Sequence, residues 1–250
     1  MDGSVCRHVV ADLRRDFRCV LPTLPLGAHD LPMRPDADLS MRGIARLLGE
    51  FLERLDLRDV TLAVNDWGGP LLLIEEPGGD RLSRLVVTSC EVFENVPPGL
   101  PGRMIGLAGS TPAGLNFALQ QLRLRPLRRL PMTFGWMTKR PVPPAVMDAW
   151  LRPALQDAAI RRDLRAYVLS ARQARDDLVA LTDRLPAFDR PALVAWASED
   201  RVMPPAQGRR LADLLPHGRY VEIADSYTII PEDQPLELAR VIREFLSGDA

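Results

Sequence analysis

What the chain has little of narrows it first. Of its 250 residues only three are cysteine and three are histidine. Cys6, Cys19 and Cys90 are odd in number and widely spaced, with no metal-ligand pattern, which points to reduced thiols in a cytoplasmic protein rather than a disulfide framework. The net charge of -1 gives no overall field for nucleic acid or a membrane surface. No apolar run reaches the roughly 20 residues of a membrane span, no charged-apolar-small leader opens the chain, and no internal repeat is visible. One long stretch lacks acid entirely. Asn95 to Met147 has no Asp or Glu, while Arg103, Arg123, Arg125, Arg128, Arg129, Lys139 and Arg140 supply positive charge. Such a run is most often a solvated face; lying among Phe117, Met132, Phe134, Trp136 and Met137, it also suits an anionic or carrier-bound substrate.

What is present suffices for one sizeable core with room for an inserted subdomain, at 46% hydrophobic and 26% charged residues. The informative stretch is Val60-Thr61-Leu62-Ala63-Val64-Asn65-Asp66-Trp67-Gly68-Gly69. A short β-branched and aliphatic run reads as a buried strand, and the small polar, acidic, aromatic and glycine residues after it read as an abrupt turn into a helix. Asp66 stands at the apex of that turn, at the carboxyl end of the strand, where open α/β sheets bind ligands. The local alternative is that Asp66 caps the following helix, a role Asp favours.

Val-Asn-Asp-Trp-Gly-Gly at 64–69 resembles the nucleophile elbow of haloalkane dehalogenases and epoxide hydrolases, a branch of the α/β-hydrolase superfamily in which Asp replaces the more usual Ser. The resemblance implies a mostly parallel open sheet with an inserted helical cap, the core being residues 1–95 and 186–250 and the cap 96–185. It implies Asp66 as nucleophile, with Trp67 at a leaving halide or oxyanion and Asn65 beside it. Asp200, in Ala-Ser-Glu-Asp-Arg-Val-Met-Pro-Pro, matches the family's acid loop; Glu91, after the strand Leu85 to Ser89, is a second acid candidate, with a solvated loop Glu as the alternative. Ala-Asp-Ser-Tyr-Thr at 224–228, before Pro-Glu-Asp-Gln-Pro, has the surroundings of the histidine loop, but Thr228 occupies the histidine position. The resemblance also implies that the first three strands and the His-Gly loop are missing, so that the expected strand Phe17 to Leu21 and the strand at Val60 to Val64 lose a shared partner.

Around this frame, helices are expected over Val5 to Arg15, from an Asp38 cap through Leu55, over Ala113 to Arg123, Ala145 to Ala154, Arg161 to Leu185 and Ala206 to Leu215, with strands at Pro191 to Trp196 and Gly218 to Ile223. His29 lies in the Pro-rich loop Pro22 to Asp38, which the resemblance sets beside the active-site entrance; it is either an ordinary loop histidine or the substitute base. Trp136 and Trp150 either line an apolar pocket or pack.

Three functions follow. A carboxylate nucleophile makes an ester, and hydrolysis of that ester needs a base near neutral pH, which a Thr hydroxyl is not. The chain is therefore expected to be a hydrolase acting through Asp66 on a small apolar ester, epoxide or halide, or a descendant of the fold that binds a ligand or partner without efficient catalysis. The third expectation is a cyclase or proton-transfer enzyme using Asp66 as a base in an apolar pocket. None of them calls for a cofactor or a metal. The expected partner is a small molecule, with no nucleic acid or membrane, and an oligomer is left open.

Overall fold

The computed structural model describes residues 1–248. Four parallel strands form one sheet in the order β1 (Val60–Asp66), β2 (Leu82–Cys90), β3 (Ala192–Ala197), β4 (Gly218–Ile223). Alternate side chains of β2 and β3 go to opposite faces, so both faces must be apolar and covered. Leu85 and Val87 of β2 and Val194 and Trp196 of β3 join the larger core cluster, whereas Val86, Leu193 and Ala195 join a second one. The second face is covered by α1 (Arg7–Leu13), through Val9 and Leu13, and by a helix near the chain's end.

The first face is covered by α2 (Met41–Arg54), whose Met41, Ile44, Ala45, Leu48 and Leu52 are buried at helical spacing. Its N-cap is Ser40 rather than Asp38: the Ser40 hydroxyl accepts the Gly43 N–H at 3.0 Å, while Asp38 Oδ1 accepts the Ser40 N–H. The expected strand Phe17 to Leu21 does not form. Among the described residues it pairs with no strand, Phe17 and Cys19 pack against the second cluster, and Val20 and Leu21 are exposed. β1 is thus an edge strand, with Leu62 and Val64 buried on one face and Ala63 exposed on the other.

Between β2 and β3 the chain is helical: α3 (Gly99–Gly109), α4 (Pro112–Gln121), α5 (Pro144–Gln156), α6 (Ala158–Leu169) and α7 (Ala171–Leu181). The expected single helix from Arg161 to Leu185 is two, broken at Ser170. Part of this region has its own clusters, one of them around Leu115, Leu119 and Ile160, but Ala174, Leu178 and Leu181 of α7 return to the sheet's main core. α8 (Pro205–Leu214) lies between β3 and β4, and α9 (Ile230–Asp233) and α10 (Pro235–Ser247) close the fold, Val241 and Ile242 of α10 packing on the second face. Among the described residues no helix is long and apolar enough to cross a membrane.

Part of the basic run pairs with acids outside it. Arg128 reaches Asp148 at 2.6 Å, and Lys139 reaches Glu199 and Asp225 at 2.6 and 2.7 Å. Arg140 also pairs with Asp225, and Arg129 donates to the carbonyls of Thr138, Lys139 and Arg140. The pairs of Lys139 and Arg140 fasten the helical region to the loops after β3 and β4, whereas those of Arg128 and Arg129 stay within it.

Candidate active site

β1 ends in a three-residue turn closed by the Trp67 N–H, which donates to the Asn65 carbonyl at 2.7 Å. Asp66 at its centre has φ of +62°, a left-handed conformation that Asp and Asn tolerate better than most residues. The turn needs glycine for space, not only for conformation. A Cβ on Gly68 would lie 1.8 Å from the Glu91 carbonyl oxygen, so the backbone can pass β2 only without a side chain. A 3-10 stretch, Gly69–Glu75, follows, with Leu71, Leu72 and Leu73 fully buried.

The strand register then sets the neighbours. Asp66 pairs with Cys90, and the Glu91 N–H donates to the Asp66 carbonyl at 3.2 Å. Loss of hydration pushes the Asp66 carboxyl up to about 6, and the charge of Asp200 adds to this. Glu91 is 8% exposed, and loss of hydration, reinforced by the charge of Asp66, pushes its carboxyl up to about 8. Both carboxyls are thus raised above their ordinary values, and, placed close together out of water, they resist being ionised at the same time.

Asp200 and Thr228 arrive from the loops after β3 and β4. Asp200 Oδ1 accepts three bonds, from the N–H groups of Val202 and Met203 at 2.8 Å each and from the Thr228 hydroxyl at 2.7 Å. Burial raises the Asp200 pKa, and these donors counter that rise. The Asn65 side chain donates to the Thr228 carbonyl at 2.8 Å, tying the elbow to the loop after β4. Asp233 fixes the same loop by accepting the N–H groups of Tyr227, Lys139 and Arg140 at 2.9, 2.8 and 2.9 Å.

Asn65, Asp66, Trp67, Glu91, Asp200 and Thr228 are thus brought together at the carboxyl edge of the sheet. His29 makes its contacts with other groups: its Nδ1 accepts the Gly27 N–H at 3.3 Å and its Nε2 faces Asp163 Oδ2 at 3.2 Å, so both ring nitrogens are engaged by partners other than Asp66. Trp136 packs, partly buried, against the main core, and Trp150 is buried in a cluster of the helical region with its indole N–H on Ser4 Oγ at 2.7 Å. Sequence reasoning missed Tyr167 of α6, whose ring meets that of Trp67 edge-on at 6.0 Å and whose buried hydroxyl lies beside Glu91. No local signal marks it, because the contact depends on where α6 docks.

Three polar atoms of this cluster are buried without a partner: Trp67 Nε1, Glu91 Oε2 and Asp200 Oδ2. Buried polar groups are ordinarily paired, so these are places where a bound molecule gains contacts that the protein alone leaves unmade. An open groove of about 570 Å³, bordered by His8, Asp12, Arg15, Arg140 and Glu232, involves none of them. Among the described residues no three His, Cys, Asp or Glu side chains are grouped to hold a metal ion.

The Glu91 carboxyl also has a consequence for stability. Its pKa lies at about 8 in the folded chain against an ordinary 4.5, so the folded state binds the proton more tightly and stability falls as pH rises between those values. Glu91→Gln keeps the shape of the neutral acid and removes the charge. The variant is expected to match the parent's unfolding free energy at about pH 5 and to exceed it at about pH 9, by on the order of 3 kcal/mol. Equal thermal melts at both pH values would show that Glu91 is ordinarily hydrated.

Comparison with known proteins agrees with this architecture. Residues 4–241 match the Alpha/beta hydrolase family. The chain is 26% identical over 269 aligned positions to a cis-3-alkyl-4-alkyloxetan-2-one decarboxylase of Xanthomonas campestris, covering 98% of this chain and 84% of that one. It is 27% identical over 243 positions to haloalkane dehalogenase 2 of Mycobacterium tuberculosis, covering 95% and 82%. Among solved structures it is similar in fold to a haloalkane dehalogenase from Bradyrhizobium elkani, with a TM-score of 0.79 at 17% identity, covering 99% and 86%. A thermophilic esterase from Thermogutta terrifontis superposes with a TM-score of 0.70 at 21% identity, covering 99% and 86%. With its parallel sheet, sharp turn at Asp66 and matched span, the chain belongs to the alpha/beta hydrolase family.

Proposed function

We propose that this protein is a hydrolase-family enzyme whose Asp66 attacks a small apolar electrophile and carries it as an ester, beneath a cap formed by the helices between β2 and β3. The observation that carries this is the placement of Asp66: at a left-handed turn at the end of β1, beside Trp67, whose indole N–H has no partner. That N–H is a donor for a leaving halide or oxygen. Asp200 is the family's acid, and Thr228 takes the place of the histidine it orients in relatives. A hydroxyl whose hydrogen bond is given to Asp200 is poorly suited to take a proton from water, so the second half of a hydrolysis is slow. Mixing the protein with excess hexyl bromide should release bromide in a rapid phase of one equivalent per chain, followed by a much slower rate. Linear release with no rapid phase would remove the proposal that the ester accumulates.

A second activity is favoured by Thr228 together with the similarity to the Xanthomonas decarboxylase. If Asp66 opens a β-lactone at the ring carbon bearing oxygen, the product ester carries a free carboxylate on the neighbouring carbon. Loss of carbon dioxide then forms the alkene and expels Asp66 as its carboxylate. No water has to be deprotonated in that sequence, so it suits a site without the histidine. Sustained turnover of a dialkyl β-lactone to alkene, alongside stalled reaction with hexyl bromide, is the outcome that selects it; stalling with both leaves the first proposal standing alone.

A further inference from the structure

Glu91 is not needed by any step above, yet it is the most unusual group beside Asp66. Its backbone is pinned on both sides, by the hydrogen bond from its N–H to the Asp66 carbonyl and by the close passage of Gly68 against its own carbonyl oxygen. The side chain is more than nine-tenths buried and its Oε2 has no partner. The titratable groups that face it are Asp66, Cys90 and Tyr167, and no cation forms a salt bridge with it among the described residues. Asp200 makes the contrast. That carboxyl is held by three donors on one oxygen, as an acid fixed for structural or orienting work should be. The Glu91 carboxyl has the Gly68 N–H and the Tyr167 hydroxyl beside it, but its Oε2 stays unmet and it lies out of water near a second carboxylate, which favours its keeping the proton.

We propose that Glu91 is the proton donor of this site, handing its proton to the oxygen that leaves carbon as Asp66 attacks, and that the site is therefore matched to epoxides rather than to halides. The proposal rests on Asp66 being the nucleophile. In the step itself an oxygen lone pair of the Asp66 carboxylate forms a bond to a ring carbon. The bond from that carbon to the ring oxygen breaks, its electron pair going to oxygen, and the oxygen takes the proton from Glu91. The products are a hydroxyalkyl ester on Asp66 and a Glu91 carboxylate, which regains its proton from solvent. Bromide leaves without needing a proton, whereas an alkoxide is too basic to leave unaided, so only the oxygen ring draws on Glu91.

That difference supplies the test. The parent, Glu91→Gln and Tyr167→Phe are each mixed with hexyl bromide and, separately, with hexene oxide, and formation of the adduct on the peptide bearing Asp66 is timed by mass spectrometry. Glu91→Gln is expected to react with the bromide within about threefold of the parent and with the oxide about a hundredfold more slowly. Equal loss of both rates, or of neither, overturns the assignment of Glu91. Should the glutamine variant lose the bromide reaction because the elbow shifts, Glu91→Asp decides, since the proposal requires it to open the oxide at least about tenfold faster than Glu91→Gln does. Loss of oxide opening in Tyr167→Phe but not in Glu91→Gln would move the proton to Tyr167. Absence of any adduct on Asp66 in the parent, with either reagent, is the distinct result that removes the nucleophile itself.

Discussion

Asp66→Asn is expected to leave the fold standing and to abolish ester formation. Asn has the size of Asp and tolerates φ of +62°, so the turn closed between Asn65 and Trp67 survives. The amide lacks the nucleophilic charge, and the rapid release of bromide from hexyl bromide should fall by at least about a thousandfold, in line with removal of a nucleophile elsewhere. The parent's own rate should depend on pH through the same carboxylate. Loss of hydration and the charge of Asp200 push the Asp66 carboxyl up to about 6, so the rate should rise with pH through that value and then level. Removing a carboxylate that folding dehydrates also removes a cost at neutral pH, so the variant's melting temperature should equal or exceed the parent's. An undiminished rapid phase in the Asn variant would place the chemistry on another group.

The second large effect is expected from Thr228→His. The Thr228 hydroxyl sits 2.7 Å from Asp200 Oδ1, and Asp200 Oδ2 is buried without a partner, so a ring nitrogen at this position finds an acceptor ready to orient it. An imidazole so held can take a proton from the water that attacks the Asp66 ester, and breakdown of the ester should accelerate by about a hundredfold or more. The residue is fully buried, and fitting the larger ring costs on the order of 1–3 kcal/mol, visible as a lower melting temperature. The same replacement combined with Asp200→Asn should lose most of the gain, because the ring then loses the charge that orients it. Acceleration that survives without Asp200 would mean that the ring acts from another position.

The parts of this fold that could be read from the sequence are those set by neighbours along the chain. The turn at Asp66 announces itself because strand, acid and glycines are consecutive, whereas Thr228 and Asp200 stand out only through the resemblance of their loops to those of the family. Parallel strands buried on both faces, such as Leu82–Cys90 and Ala192–Ala197, stand out as nearly unbroken apolar runs. What was not legible depends on partners distant in sequence. Phe17 to Leu21 has the composition of a strand, but composition does not supply a neighbouring edge, and the segment stays extended and unpaired among the described residues. No helix was expected over α3, which carries glycines at 99, 102, 106 and 109; it is helical, and at Gly109 a Cβ would come within 2.6 Å of Val168 on α6, a close approach that composition alone cannot reveal. His29 looked free because its partner, Asp163, lies 134 residues away. Glu91 was visible as an acid after a strand, but its burial and its proton depend on Asp66, Gly68 and Tyr167 arriving from other elements.

The central claim, a covalent ester on Asp66, is tested most directly by digesting the parent protein after brief exposure to hexyl bromide and weighing the peptide that spans β1 and the turn after it. The account predicts that this peptide gains the mass of one hexyl group, that fragmentation places it on Asp66, and that the adduct persists long after the reagent is removed. An unmodified peptide, recovered while bromide is being released at a steady rate, would contradict it.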